Sequence, residues 1–291
     1  MSVHDDRPVF RFAPSPNGHL HLGHAYSALI NQHIADETGG RMLLRVEDID
    51  TARCTPLLEA QMLEDLAWVG FSWEGEPRRQ SDHFADYAHA LDVLTDAGLA
   101  YASTLTRGDI RAIVEAHEAS GEPWPRDPDG APLFPGRAYE THATDADAPT
   151  VWRLDVAAAK AHLGVQTMRW EETGSGPEGQ TGLVEGDPGA WGDFVLARRD
   201  TPTSYHLSVV VDDALQRITH VVRGGDLFHA TAAHTLLQDV LGYQQPIYHH
   251  HDLVMDAHGA RKLSKSARDT SLRSLREAGM TAADVKRMIG L

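Results

Sequence analysis

The stretch Arg11-Phe-Ala-Pro-Ser-Pro-Asn-Gly-His-Leu-His-Leu-Gly-His24 decides the fold. The run from Pro8 to Ala13 reads as a short buried strand. Pro14-Ser-Pro-Asn-Gly18 is dense in turn formers and ends it. From His19 to Glu37 the composition and length are those of a helix, stopped by Gly39-Gly40. Strand, loop and helix start, in that order, describe the carboxyl edge of an open α/β sheet. Ligands bind at that edge, and a helix N-terminus favours phosphate. His21 and His24 are three residues apart and share one helix face. Two imidazole donors there can hold a phosphoryl group and its developing charge. Gly23 between them lets a flat base approach the backbone. Alone, such a histidine pair is more often surface than catalytic. The surrounding prolines and glycines reverse that reading.

Working outward, Arg41 to Val46 reads as a second strand, and Thr55 to Val69 and Phe84 to Ala97 as helices. The order predicts a parallel α/β sheet. Composition changes after Leu99. Gly121 to Pro135 is dense in Pro, Gly and Asp, Thr141 to Pro149 is small and polar, and Glu171 to Gly192 is rich in glycine. Asp193 to Ala197 and Val209 to Asp213 read as buried strands, the latter ending in carboxylates. Arg217 to Val222 reads as a further strand and His229 to Leu241 as a helix. We therefore expect one half of an α/β domain at 1–97, an inserted α+β region at 98–186, the second half at 187–256, and a lysine loop with a helical segment at 257–291.

The 291 residues suffice for one large domain or two modest ones. A net charge of −16 argues against a generally basic nucleic-acid binder but not against a local basic surface. Arg261 to Arg287 is such a basic stretch, readable as phosphate contacts or as a solvated helix. The single cysteine, Cys54, excludes an internal disulfide and reads as a bystander thiol. No apolar run has transmembrane length, and the first residues lack a signal peptide's pattern. A cytoplasmic protein with no membrane partner is expected.

Lys262-Leu-Ser-Lys-Ser266 is polar, rich in ammonium donors and close to Gly259. It suits a loop that closes on phosphates. Together the two stretches resemble the signatures of class I aminoacyl-tRNA synthetases, with His21-Leu-Gly-His24 in the place of one and Lys262–Ser266 of the other. The match is most similar to the glutamyl class: Phe12-Ala-Pro-Ser-Pro16, Arg45-Val-Glu-Asp-Ile-Asp50, Gln80-Ser81, Tyr205-His-Leu207, Val210-Val-Asp-Asp213 and Val222-Arg-Gly-Gly-Asp226. It covers 7–97 and 187–291 well and the insertion poorly. The resemblance implies a Rossmann-type parallel sheet split by an acceptor-binding-like region.

By the same resemblance Arg11, Phe12, Ala13, Pro14, Ser15, Glu47, Tyr205 and Arg223 bind L-glutamate. Two arginines, one carboxylate and a phenol match a ligand with two carboxylates and one ammonium. Each has a plain alternative taken singly: Glu47 a surface carboxylate, Arg223 a salt-bridge partner, Tyr205 core. His21, Gly23, His24, Lys262, Ser264 and Lys265 bind ATP. His21, His24, Lys262 and Lys265 act in catalysis, with Mg2+ carried on the ATP phosphates.

The substrate carboxylate is already ionised at neutral pH, so activation needs positioning and charge stabilisation and no general base. Only about 25 residues follow Ser266. That resembles the truncated glutamyl-queuosine tRNA(Asp) synthetase family, which implies transfer of glutamate to queuosine in the anticodon loop of tRNA(Asp). One feature departs from that family. Ser103, Leu105, Phe134 and Ala138 stand where three cysteines and a tyrosine often hold zinc, so no zinc is expected. His249-His-His251 reads as a strand-edge or loop cluster, and neither it nor Asp212-Asp213 is assigned to metal. A truncated conventional glutamyl-tRNA synthetase and a non-catalytic regulator are the alternatives.

Overall fold

The computed structural model describes residues 6–142, 150–254 and 270–291. β1 (Val9–Phe12) is buried along its length. α1 (Leu22–Glu37) starts later than composition suggests because His21 is its N-cap. β2 (Arg41–Val46) and α2 (Pro56–Val69) follow as expected, with the Thr55 hydroxyl capping α2 and Pro56 at its first turn. β3 (Arg78–Arg79) and α3 (Phe84–Asp96) complete this part. Then come β4 (Ala100–Ser103), α4 (Arg107–Glu118), β5 (Val151–Leu154), α5 (Val156–Leu163), β6 (Met168–Glu172) and β7 (Gly182–Gly186). The chain continues through β8 (Val195–Arg198), α6 (Tyr205–Leu215), β9 (His220–Gly224), α7 (Ala230–Val240) and β10 (Ile247–His251). α8 (Leu272–Glu277) and α9 (Ala282–Met288) close it.

The main sheet has the order β3-β2-β1-β9-β10-β6-β7. It is parallel from β3 to β6, and β7 is antiparallel at the edge. From β1 the chain winds outward through β2 to one edge. The other strands start beside β1 at β9 and run the opposite way. This reversal is a topological switch point, so the crevice lies at the carboxyl ends of β1 and β9. A second, antiparallel sheet has the order β4-β5-β8.

Sheet membership does not follow the expected boundary at 186. β6 and β7 lie before it yet belong to the main sheet, and β8 lies after it yet joins β4 and β5. Met168, Trp170 and Glu172 alternate inward along β6 and pack under α7. Composition marks where loops lie, not which edge a strand finds. The Val209–Asp213 strand is corrected to part of the helix α6. Its apolar run misled because α6 is buried from Leu207 to Asp213, against α3, α7 and β8. A short continuous apolar run has no periodicity to tell strand from helix. β9 begins at His220, since Arg217 takes a left-handed φ of 54° in the preceding turn. β10 is an interior strand, so His249–His251 is neither a strand edge nor a loop.

Two cores flank the crevice. Phe10, Leu20, Leu44, Leu66, Leu272 and Val285 belong to one, which joins β1, β2, α1 and α2 to α8 and α9. The other gathers Tyr87, Leu154, Leu196, Leu207, Val210 and Leu236 around α6. Of the C-terminal basic stretch, Arg261, Lys262, Lys265 and Arg268 lie outside the described residues, and three of the described arginines are in ion pairs. Arg273, Arg276 and Arg287 pair with Glu277, Glu64 and Asp284. Among the described residues no helix is long and apolar enough to cross a membrane.

Candidate active site

The expected glutamate residues converge on the crevice. Arg11 and Phe12 end β1, Glu47 follows β2, Arg223 lies near the end of β9, and Tyr205 opens α6. Parallel pairing of β2, β1 and β9 puts these strand ends on one edge. The buried Asn31 amide on α1 donates to the carbonyls of Arg11 (2.8 Å) and Val222 (3.3 Å), tying the helix to both strands. The Glu47 N–H donates to the Pro14 carbonyl, which fixes the loop 13–15 beside Glu47. Ser15 Oγ lies 3.7 Å from Cys54 Sγ.

His21 and His24 form the helix start itself. His21 Nδ1 accepts from the Gly23 N–H at 3.1 Å, and His24 Nδ1 accepts from the His21 N–H at 3.2 Å. This is a capping box made by imidazoles. An Nδ1 that accepts carries no proton, so each ring presents Nε2–H as its donor. The rings lie 3.9 Å apart. A Cβ on Gly23 would meet the His21 ring at 3.1 Å, so the missing side chain makes room for the cap. Ser271 bridges to His21, and the Leu272 N–H donates to the Leu20 carbonyl at 2.8 Å. On the other side His251 Nε2 lies 3.0 Å from Ser27 Oγ on α1. Lys262, Ser264 and Lys265 lie outside the described residues.

The charges are arranged in two ways. Arg11 Nε and Arg45 Nη1 both donate to Asp213 Oδ1, at 3.1 and 2.7 Å. Arg45, fully buried, also reaches Glu47 Oε1 at 3.3 Å. Burial opposes its charge, but Asp213, Glu47 and Asp212 outweigh burial and raise its pKa further. Asp212, on another side of α6, accepts from Arg78, Gln80 and Tyr87. Burial also works to raise the Asp213 carboxyl, yet Arg11 and Arg45 hold it below the ordinary carboxylate range. Burial pushes Glu47 up, against the pull of Arg45 and Arg11.

Arg223 is different. Its Nε donates to His250 Nε2 (3.0 Å), its Nη1 to His234 Nδ1 (3.1 Å), and its Nη2 to Thr231 Oγ1 (2.8 Å) and the Leu227 carbonyl (3.2 Å). Among the described residues no carboxylate is within ion-pair distance of it. Burial pushes the Tyr205 hydroxyl up, while Arg223 and Arg11 pull it down and Glu47 and Asp213 push it further. Desolvation brings His250 down to about 4 despite its contact with Glu172, and His234 well below the usual histidine value.

Arg45, Asp213, His234 and His250 carry this arrangement and were given no role from sequence. Paired carboxylates closing an apolar run were the available signal, because buried charge must be paired. Of the positions considered for zinc, Ser103 and Leu105 are buried, and the Arg153 guanidinium sits 3.5 Å over the Phe134 ring. Among the described residues no group of three or more His, Cys, Asp or Glu side chains is placed to hold a metal ion.

The model of the family described as tRNA synthetases class I (E and Q), catalytic domain, matches residues 9–289. A glutamyl-Q tRNA(Asp) synthetase of Rhodobacter capsulatus is 45% identical over 97% of this chain and 100% of its own length. A glutamate–tRNA ligase of a Synechococcus species is 36% identical over 93% of this chain. The crystal structure of a glutamate tRNA ligase from Elizabethkingia meningosepticum, in complex with its amino acid, matches with a TM-score of 0.69 and 25% identity over 94% of this chain. The chain spans about half the length of these last two, 55% and 54%. Family model, relatives and fold agree: the chain belongs to the class I tRNA synthetases (E and Q), through their catalytic domain, and is an ATP-dependent ligase.

Proposed function

We propose that the protein activates L-glutamate with ATP and transfers it to queuosine at the wobble position of tRNA(Asp). The carrying observation is the charge layout of the crevice. Arg223 is a buried cation held by neutral acceptors, and the charges of Arg223, Arg11 and Glu47 all act on the Tyr205 hydroxyl. A carboxylate ligand supplies the anion that Arg223 lacks, and Glu47 offers one to the ligand's ammonium. Phe12, Ala13, Pro14 and Ser15 complete the glutamate-binding set in this reading.

In the first step a glutamate carboxylate oxygen attacks the α-phosphorus of ATP. The bond to the bridging oxygen breaks and pyrophosphate leaves, giving glutamyl-adenylate. The Nε2–H donors of His21 and His24 stabilise the charge on the α-phosphoryl oxygens. Gly23 leaves room for the nucleotide. Lys262, Ser264 and Lys265 contact the phosphates, the lysines neutralising the leaving group. Mg2+ travels with ATP, bound mostly by phosphates and water. In the second step a hydroxyl of the queuosine cyclopentenediol attacks the acyl carbon and AMP leaves. The name and full-length match of the Rhodobacter capsulatus relative favour this acceptor. The reading assigns the protein to the cytoplasm, where tRNA is found.

ATP–pyrophosphate exchange tests the first step. Glutamate is expected to drive exchange, with aspartate and glutamine far weaker. Exchange driven by no amino acid, with or without RNA, would leave only a regulator.

A further inference from the structure

Arg223 and Arg11 share one site but meet opposite surroundings. Arg11 donates to the Asp213 carboxylate, whereas among the described residues every acceptor around Arg223 is neutral. A guanidinium has no lone pair, so it fixes the protons on the rings it touches. His250 Nε2 accepts from Arg223, which puts the His250 proton on Nδ1, 2.6 Å from Glu172 Oε2. His234 Nδ1 accepts from Arg223, which puts its proton on Nε2, 3.1 Å from His206 Nδ1. Glu172 is itself locked by the N–H groups of His250 (2.8 Å) and Gly174 (2.9 Å). The nearest anion on this side thus stands one imidazole away from the cation. Gly174 permits this packing, because a Cβ there would fall 2.2 Å from the His250 carbonyl oxygen.

We propose that His234 and His250 are positioning residues that set amino-acid selectivity: they aim Arg223 through neutral acceptors and keep its charge uncompensated for a ligand carboxylate. The proposal rests on glutamate being the ligand. A buried cation without an anion is unfavourable in the empty site, and an incoming carboxylate relieves it. An uncharged amide of the same shape cannot, so glutamine is rejected by charge and not by size. A carboxylate at either ring position would fill that role permanently. Burial keeps both rings neutral, in agreement with this geometry.

The test compares His234→Asn with His234→Asp in glutamate- and glutamine-dependent exchange. Asparagine keeps a neutral acceptor near the Nδ1 position, whereas aspartate differs from it mainly by one charge. His234→Asn is expected to raise the KM for glutamate by at most about tenfold, the worth of one hydrogen bond. His234→Asp is expected to raise it on the order of 100-fold, with a smaller fall in kcat, and to narrow the preference for glutamate over glutamine. Thermal unfolding establishes that both variants fold. Should aspartate at 234 prevent folding, Thr231→Asp brings a carboxylate to the same guanidinium, with the same expected change. A folded aspartate variant with wild-type KM and selectivity overturns the proposal, as does an asparagine variant as impaired as the aspartate one. Wild-type protein without glutamate-driven exchange removes the underlying reading instead.

Discussion

Arg11, Arg45 and Arg223 are all buried, and their partners decide what each does. Two of them share Asp213, which fixes where their guanidinium groups lie. The third is held by imidazoles, a hydroxyl and a carbonyl. Arg223→Ala is accordingly expected to abolish glutamate-driven exchange, and wild-type rates in that variant would mean the pocket is misassigned. His24→Asn separates a second pair of roles. Asparagine can still accept from the His21 N–H and keep the cap, but it lacks the Nε2–H donor. We expect the activation rate to fall on the order of 100-fold with little change in melting temperature; a lower melting point at an unchanged rate would make His24 a cap alone. Arg11, His21, His24 and Arg223 were legible in sequence because each sits inside a short string of special residues. Asp213, His234 and His250 were not. The Asp213 contact to Arg11 spans 202 residues, and no local pattern announces such a pairing.

At the scale of elements, α6 is the least legible and the most consequential. It reads as a strand, yet Ser204 caps it and its last turn presents adjacent carboxylates on different sides. Asp212 binds Arg78 from β3, and Asp213 binds Arg11 from β1 and Arg45 from β2. Carboxylates at a helix C-terminus oppose the helix dipole, and these arginines offset that. Asp213→Asn would leave two buried guanidinium groups without their shared anion. The expected loss is about 3–5 kcal/mol in urea unfolding, together with weaker glutamate binding. A variant as stable as wild type would show that the network does not hold the strands. β2, by contrast, was read to the residue, and α1 at its C-terminal end. Their signals, Gly39-Gly40 and a compact apolar run, are local and have no competitor.

For the whole molecule, the parallel sheet and its interruption were legible, but the membership of β6, β7 and β8 was not. Strand partners are chosen in space, whereas composition records only the loops between them. One global property follows from the buried histidines. His206 and His250 are brought down from 6.5 to about 4 by desolvation, and His234 is likewise brought well below its usual value. Above 6.5 these rings are neutral in both folded and unfolded chains. Between 6.5 and 4 the unfolded chain takes up protons that the folded one refuses, so stability falls as the pH falls through that window. Asp213 extends the loss to lower pH, since its carboxyl is held below 3.8. Urea midpoints across this range are expected to drop towards acid, less steeply in His206→Asn, and a flat profile would count against neutral buried rings. The central claim concerns where the activated glutamate goes. Its most direct test is transfer of labelled glutamate to tRNA(Asp) containing queuosine, to the same tRNA lacking it, and to tRNA(Glu). The account predicts label on the first alone; label on tRNA(Glu) alone would contradict it.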